Sequence, residues 1–141
     1  MAASVAAVKV TRFDARADLI IVGARVWGSH PSRLRKLRLV LDTGAAETII
    51  TPDVLDELGY SARDAERRTV IRSAVAEEHG YILRVARFAC LGFEAASFRV
   101  DAHDLPEGWE IDGLLGLRFL RQFNYEVRSA EGRIRVERLA Q

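Results

Sequence analysis

A carboxylate stands at the end of an apolar run in Leu39-Val40-Leu41-Asp42-Thr43-Gly44-Ala45. Aspartate weakens a strand, and its charge is costly beside apolar neighbours unless hydrogen bonds satisfy it. A carboxyl group held in such a place can take up or give away a proton. Asp and Gly are also good turn residues, so the tripeptide alone favours a strand that simply ends in a turn there.

Other chemistries lack their residues. The chain has no Gly-x-Ser-x-Gly, no P-loop, no Gly-x-Gly-x-x-Gly and no pair of cysteines. His30, His79 and His103 match no metal-ligand spacing and read as turn and loop histidines, so no metal is expected. The single cysteine, Cys90, lies in the apolar stretch 88–91 and reads as a buried core thiol; alone, it excludes an intrachain disulfide. Asp112, beside Gly113, reads as a carboxylate that hydrogen-bonds the backbone of its loop.

Composition narrows the partners. With 141 residues, 49% hydrophobic and 29% charged, the chain suits one domain with a real core. A formal net charge of +1 argues against a dedicated nucleic-acid binder. The basic run Arg33, Arg35, Lys36 and Arg38 reads as a solvated edge strand. The apolar stretch 19–22 is too short to span a bilayer, and residues 1–10 lack the features of a signal peptide. No membrane association and a cytoplasmic location are therefore expected.

Strand patterns dominate the elements that would position Asp42. Segments 19–27 and 33–41 flank the turn cluster Gly28-Ser29-His30-Pro31-Ser32 and read as a hairpin leading into Asp42. Thr51 as a cap, Pro52 at the first position and Gly59 as a stop predict a short helix. Segments 69–71 and 81–85 predict two strands joined by the small, polar connector 73–80. Segments 87–90 and 95–100 predict a hairpin about a turn at 91–94, and 101–110 a polar loop. A second short helix over 117–123 and a closing hairpin, 125–127 with 133–139, complete the chain.

The second half of the chemical pattern stands far downstream, in Asp112-Gly113-Leu114-Leu115-Gly116-Leu117 with Phe119 and Leu120 following. Taken with Leu41-Asp42-Thr43-Gly44-Ala45, it makes the chain resemble the retropepsin-like family of aspartic proteases, its bacterial branch more than the retroviral enzymes. The resemblance runs over about 19–136 and includes the turn at Gly28, the Ser73-Ala74 pair and the Leu91-Gly92 turn. It implies an all-β, mostly antiparallel, single-domain fold: the retropepsin-like closed β-barrel of acid proteases, with two short helices. That domain would span 18–139, with 1–17 as an N-terminal extension, disordered in part.

The resemblance also implies an activity. The chain would be an aspartic endopeptidase that hydrolyses peptide bonds with a water activated by two copies of Asp42, one from each subunit of a homodimer. No cofactor is implied, and the substrate is a peptide or protein. Thr43, Gly44 and Ala45 would support the catalytic loop, and Leu114, Leu115 and Gly116 would back it. Ser73, Ala74 and Val75 would begin a flap over the substrate. Leu41, Ile71, Ala74 and Leu117 would line apolar pockets. The alternative is a catalytically inactive member of the fold that binds peptides or dimerises without turnover.

Two departures stand out. Retroviral members pair an Asp after the Asp-Thr-Gly-Ala motif with an Arg after the later Gly, where this chain has Ala46 and Leu117. A different brace is implied, with Glu47 and Arg118 as its candidates. The connector also lacks a glycine-rich tip and carries Glu77 and Glu78.

Overall fold

A computed structural model describes residues 4–72, 74 and 77–140. Its elements are β1 (Val5–Arg12), β2 (Ile21–Trp27), β3 (Leu34–Leu41), β4 (Ile49–Ile50), α1 (Pro52–Glu57), β5 (Arg67–Arg72), β6 (Glu77–Cys90), β7 (Phe93–Ala102), β8 (Gly113–Leu115), α2 (Leu117–Leu120), β9 (Phe123–Arg128) and β10 (Arg133–Leu139). Seven strands form one sheet in the order β2-β3-β8-β4-β7-β6-β5, and a further pairing of β2 with β6 closes the first six into a barrel. Among the described residues, only β3–β8 and β4–β7 are parallel. The closed, mostly antiparallel barrel with two short helices expected from the sequence is therefore present. A separate three-stranded antiparallel sheet runs β1-β10-β9.

Alternation along the strands sorts side chains onto two faces. Val22, Leu39, Ile50, Leu83, Val100 and Leu115 join one core cluster, to which α1 adds Val54 and Leu55 and β10 adds Ile134 and Val136. Phe119 of α2 sits at its centre, edge-on to Phe88 at 5.2 Å and to Phe123 at 5.3 Å. Burying one such ring contributes about 1.5–3 kcal/mol, so a helix of one turn is held by packing rather than by its own propensity. Cys90 is buried, and burial pushes its thiol up to about 12.

The opposite face carries the residues one step along each strand. The register places Ile21, Val40, Leu114, Ile49, Asp101 and Ile82 side by side across six strands. This row is apolar except for Asp101, and its β3 member, Val40, lies two residues before Asp42 on the same face.

Several sequence expectations need correction. Within the expected 1–17 extension, residues 5–12 form β1, whose partner β10 lies at the other end of the chain. The basic segment 33–38 keeps the edge character expected of it: β2 pairs with Leu34 to Arg38 on one side, and β8 meets β3 only at Leu39–Leu41. Within it Arg35 meets carboxylates, pairing with Glu57 and placing Nη2 3.4 Å from Asp112 Oδ1. Strand β7 runs on through Ala102, into the expected polar loop, because Asp101 and Ala102 pair with β4 and β6. The second helix stops at Leu120, since residues from Phe123 join β9. Thr51 occupies the N-cap of α1 but makes no side-chain capping bond. Among the described residues, no helix is long and apolar enough to cross a membrane.

Candidate active site

Asp42 leaves β3 with its backbone still in the sheet ladder, its N–H donating to Leu115 O at 3.0 Å. The chain then turns back on itself, with Ala45 N–H donating to Asp42 O at 3.2 Å. That turn brings Gly44 N–H to Asp42 Oδ1 at 2.9 Å. A Cβ on Gly44 would lie only 3.2 Å from the same oxygen, so glycine lets the backbone donor reach the carboxylate unhindered. Among the described residues nothing hydrogen-bonds Asp42 Oδ2, and the side chain is partly exposed.

The downstream segment is stitched onto this loop. Leu117 N–H donates to Ala45 O at 2.8 Å, and Arg118 N–H to Ala46 O at 3.0 Å. Gly116 N–H reaches the hydroxyl of fully buried Thr48 at 3.3 Å, while Thr48 O accepts from Asp101 N–H at 2.9 Å. The free N–H groups at the start of α2 are thus satisfied by the carbonyls of the Asp42 loop. The structure brings Asp42, Ala45, Leu115, Gly116 and Leu117 into one hydrogen-bonded unit.

Other sequence-predicted residues are placed as follows. Thr43 is exposed at the loop tip. Leu115 is buried in the core, whereas Leu114 is half-buried on the opposite face, in the row with Val40. Leu41 packs against the core cluster, so Val40 is the β3 residue that shares the row beside Asp42. Ile71 is 41% exposed on β5, and Ala74 is exposed beyond it. Ser73 and Val75 lie outside the described residues. Asp112 behaves as expected, its Oδ2 accepting from Arg38 N–H at 2.8 Å. A cleft of about 880 Å³, lined by Lys9, Arg25, Lys36 and Cys90 among others, takes in none of these residues.

Glu47 and Arg118 do pair, at 2.6 Å, and Glu47 also holds Arg99 at 3.0 Å. The Glu47 side chain is only 14% exposed, so its two arginines replace most of its lost hydration. Its hydrogen bond raises the Arg118 guanidinium above its ordinary value. This brace ties the loop after Asp42 to α2 and β7. Glu47→Gln is expected to lower stability by about 1–2 kcal/mol, a partial loss because Arg118 stays half-exposed. A urea denaturation midpoint equal to that of the unaltered chain would show the brace to be idle.

Sequence reasoning missed a second polar group on this face. Asp101 and His103 are 8% and 2% exposed, not loop residues in water. His103 Nε2 lies 3.0 Å from Asp101 Oδ1 and 3.0 Å from Thr69 Oγ1, and the Thr69 hydroxyl donates to Asp101 Oδ1 at 2.8 Å. Burial pushes the Asp101 carboxyl up, against the pull of Thr69 and His103. The Asp-x-His spacing was the available signal, since residues two apart share a face of a strand. Among the described residues there is no cluster of three or more metal-ligating side chains.

Comparisons with known proteins bear on the family and the fold. The profile of a family described as aspartyl protease matches residues 22–119. The fold is similar to that of a retropepsin-like aspartic protease from Rickettsia conorii, with a TM-score of 0.68 and 16% identity over 95% of this chain and 92% of that one. No curated protein matches the chain by sequence.

Proposed function

The chain belongs to the aspartyl protease family, and from that premise we propose that it is an endopeptidase whose reaction centre forms between two copies of itself. The observation that carries the reading is Asp42, held by Gly44 N–H on one oxygen and open on the other, in a loop locked to the Leu114-Leu115-Gly116 segment. One carboxyl cannot at once take a proton from water and give one to a carbonyl. Two copies of Asp42 facing each other across a two-fold axis divide the work. Like charges that close do not both ionise, so the pair shares one proton. The ionised member removes a proton from a bound water, whose oxygen attacks the peptide carbonyl carbon. The protonated member hydrogen-bonds the developing oxyanion, and a proton then passes to the departing nitrogen.

The neighbours take roles around that pair. Exposed Thr43 meets the opposite loop. Ala45 and Gly116 fix the loop's back. An extended substrate lies along the row of Val40 and Leu114, with Leu117 and Ile71 at its pockets and Leu41 supporting the floor from the core side. The β5–β6 hairpin, with Ser73, Ala74 and Val75 at its connection, covers it. The cytoplasm suits a chain whose one thiol is buried and reduced.

A peptide-library digest tests the reading, together with solution mass. Cleavage blocked by a statine-type transition-state mimic is expected, with a mass of two chains at micromolar concentration. A strict monomer that stays monomeric with peptide present would remove the two-fold centre.

A further inference from the structure

Strand β6 changes partners along its length. Residues 77–82 pair with β5, whereas pairing with β7 starts at Tyr81, opposite Ala102. Beyond Tyr81 the β5–β6 hairpin therefore runs past the end of β7. His103, the next residue of that chain, fills the space beneath it. A Cβ at Gly80 would collide with the His103 ring and the Ala102 carbonyl, so the hairpin rests on the imidazole through a bare backbone. Thr69 stands opposite Gly80 in register and turns its hydroxyl to the same spot.

The hydrogen bonds there have a fixed sense. A hydroxyl has one proton, and that of Thr69 goes to Asp101 Oδ1. Its lone pair then faces His103 Nε2, which must carry the hydrogen, while buried Nδ1 has no partner. His103 Nε2 lies 3.0 Å from both Thr69 Oγ1 and Asp101 Oδ1, so the three side chains close a triangle in which Thr69 joins hairpin to barrel. Asp101 itself sits in the floor row between Ile49 and Ile82, where an apolar residue would cost less to bury. What a directional polar cluster supplies, and an apolar contact does not, is one defined position for the hairpin.

We propose that Thr69, Asp101 and His103 are positioning residues for peptide cleavage: their cluster sets the β5–β6 hairpin at a fixed height above the floor row that leads to Asp42. The inference rests on the peptidase reading and adds the residues that define the groove's depth. Substrate laid in that groove gains contacts from hairpin and floor together, so loosening the hairpin weakens binding more than it slows chemistry.

The test compares Thr69→Val, which keeps the shape and removes the hydroxyl, with Thr69→Ser, which restores it. Thr69 lies on the outer strand of the sheet, so the barrel is left intact. Two readouts are taken, steady-state kinetics on a peptide cleaved by the unaltered protein and amide hydrogen exchange across residues 67–71 and 78–82. Thr69→Val is expected to raise KM about tenfold with kcat within about twofold, and to speed exchange of those amides about tenfold, with Thr69→Ser near the unaltered values. An unmoved KM overturns the positioning role, even if exchange quickens, because the cluster then only stabilises. Failure of Thr69→Ser to restore KM overturns it too. If the unaltered protein cleaves no peptide, the peptidase reading fails first and this role falls with it.

Discussion

Replacing Asp42 by asparagine is expected to cut peptide cleavage by about a thousandfold or more while leaving the fold intact. The amide is the same shape as the carboxylate. Its oxygen can still accept the Gly44 N–H that now reaches Oδ1 at 2.9 Å, so the loop keeps its turn. What disappears is the ionisable group: two asparagines share no proton and take none from water. Since Asp42 is partly exposed and has no charged partner among the described residues, stability is expected to shift by no more than about 0.5 kcal/mol. Initial rates of the variant and the unaltered chain on the same peptide, with a urea denaturation curve beside them, check both halves. Equal rates would remove Asp42 from the chemistry. Equal loss of rate and of fold would mean that the substitution says nothing particular about proton transfer.

The second large effect is structural and lies at Gly116. This glycine is extended, with φ −101° and ψ −178°, so its conformation is open to any residue. Space is what it lacks. A Cβ there would strike Glu47 O and lie 2.6 Å from Glu47 C and 2.8 Å from Ala45 O, all backbone atoms. Ala45 O is also the acceptor of Leu117 N–H, so a methyl group would press on the bond that locks α2 to the Asp42 loop. Gly116→Ala is therefore expected to cost about 3 kcal/mol or more, as an overpacked site does, and to lower activity through the displaced loop. Gly23 provides the control. A Cβ there meets nothing within 4 Å, so Gly23→Ala should leave stability unchanged or slightly raised. If both variants unfold at the midpoint of the unaltered chain, the close approach at Gly116 does not matter.

The parts of this site visible in the sequence were those written in short runs of neighbouring residues. Asp42-Thr43-Gly44-Ala45 and Leu114-Leu115-Gly116 each carry their pattern within a few positions, and so does the hairpin turning at Gly28. The Glu47–Arg118 brace was legible because two expected charges were missing together at Ala46 and Leu117. What escaped was fixed by distant pairing. Residues 49–50 are a strand only because Gly113 and Leu114 on one side and Asp101 and Ala102 on the other align with them. Residues 39–41 gain their second neighbour only when β8 arrives, from far along the chain. His103 looks like a loop histidine because nothing near it in sequence reveals that Gly80 will lie on its ring. That Leu41 packs on the core while Val40 lies in the row beside Asp42 was hidden for a simpler reason. A run of apolar residues at a strand end does not say which face is the core, and a slip of one residue reverses every side chain.

The small sheet has a consequence for how the molecule comes into being. Val5 is matched to Leu139 and Arg12 to Arg133, so the opening strand finds its place only beside the closing one. All six barrel strands lie between these two in sequence. The barrel can gather without them, whereas β1 finds its strand partner among the described residues only once β10 is in place. Joining ends so far apart is slow, since the freedom lost in closing the loop is repaid only when both strands are present. The pairing of β1 with β10 is thus expected among the slow steps of folding.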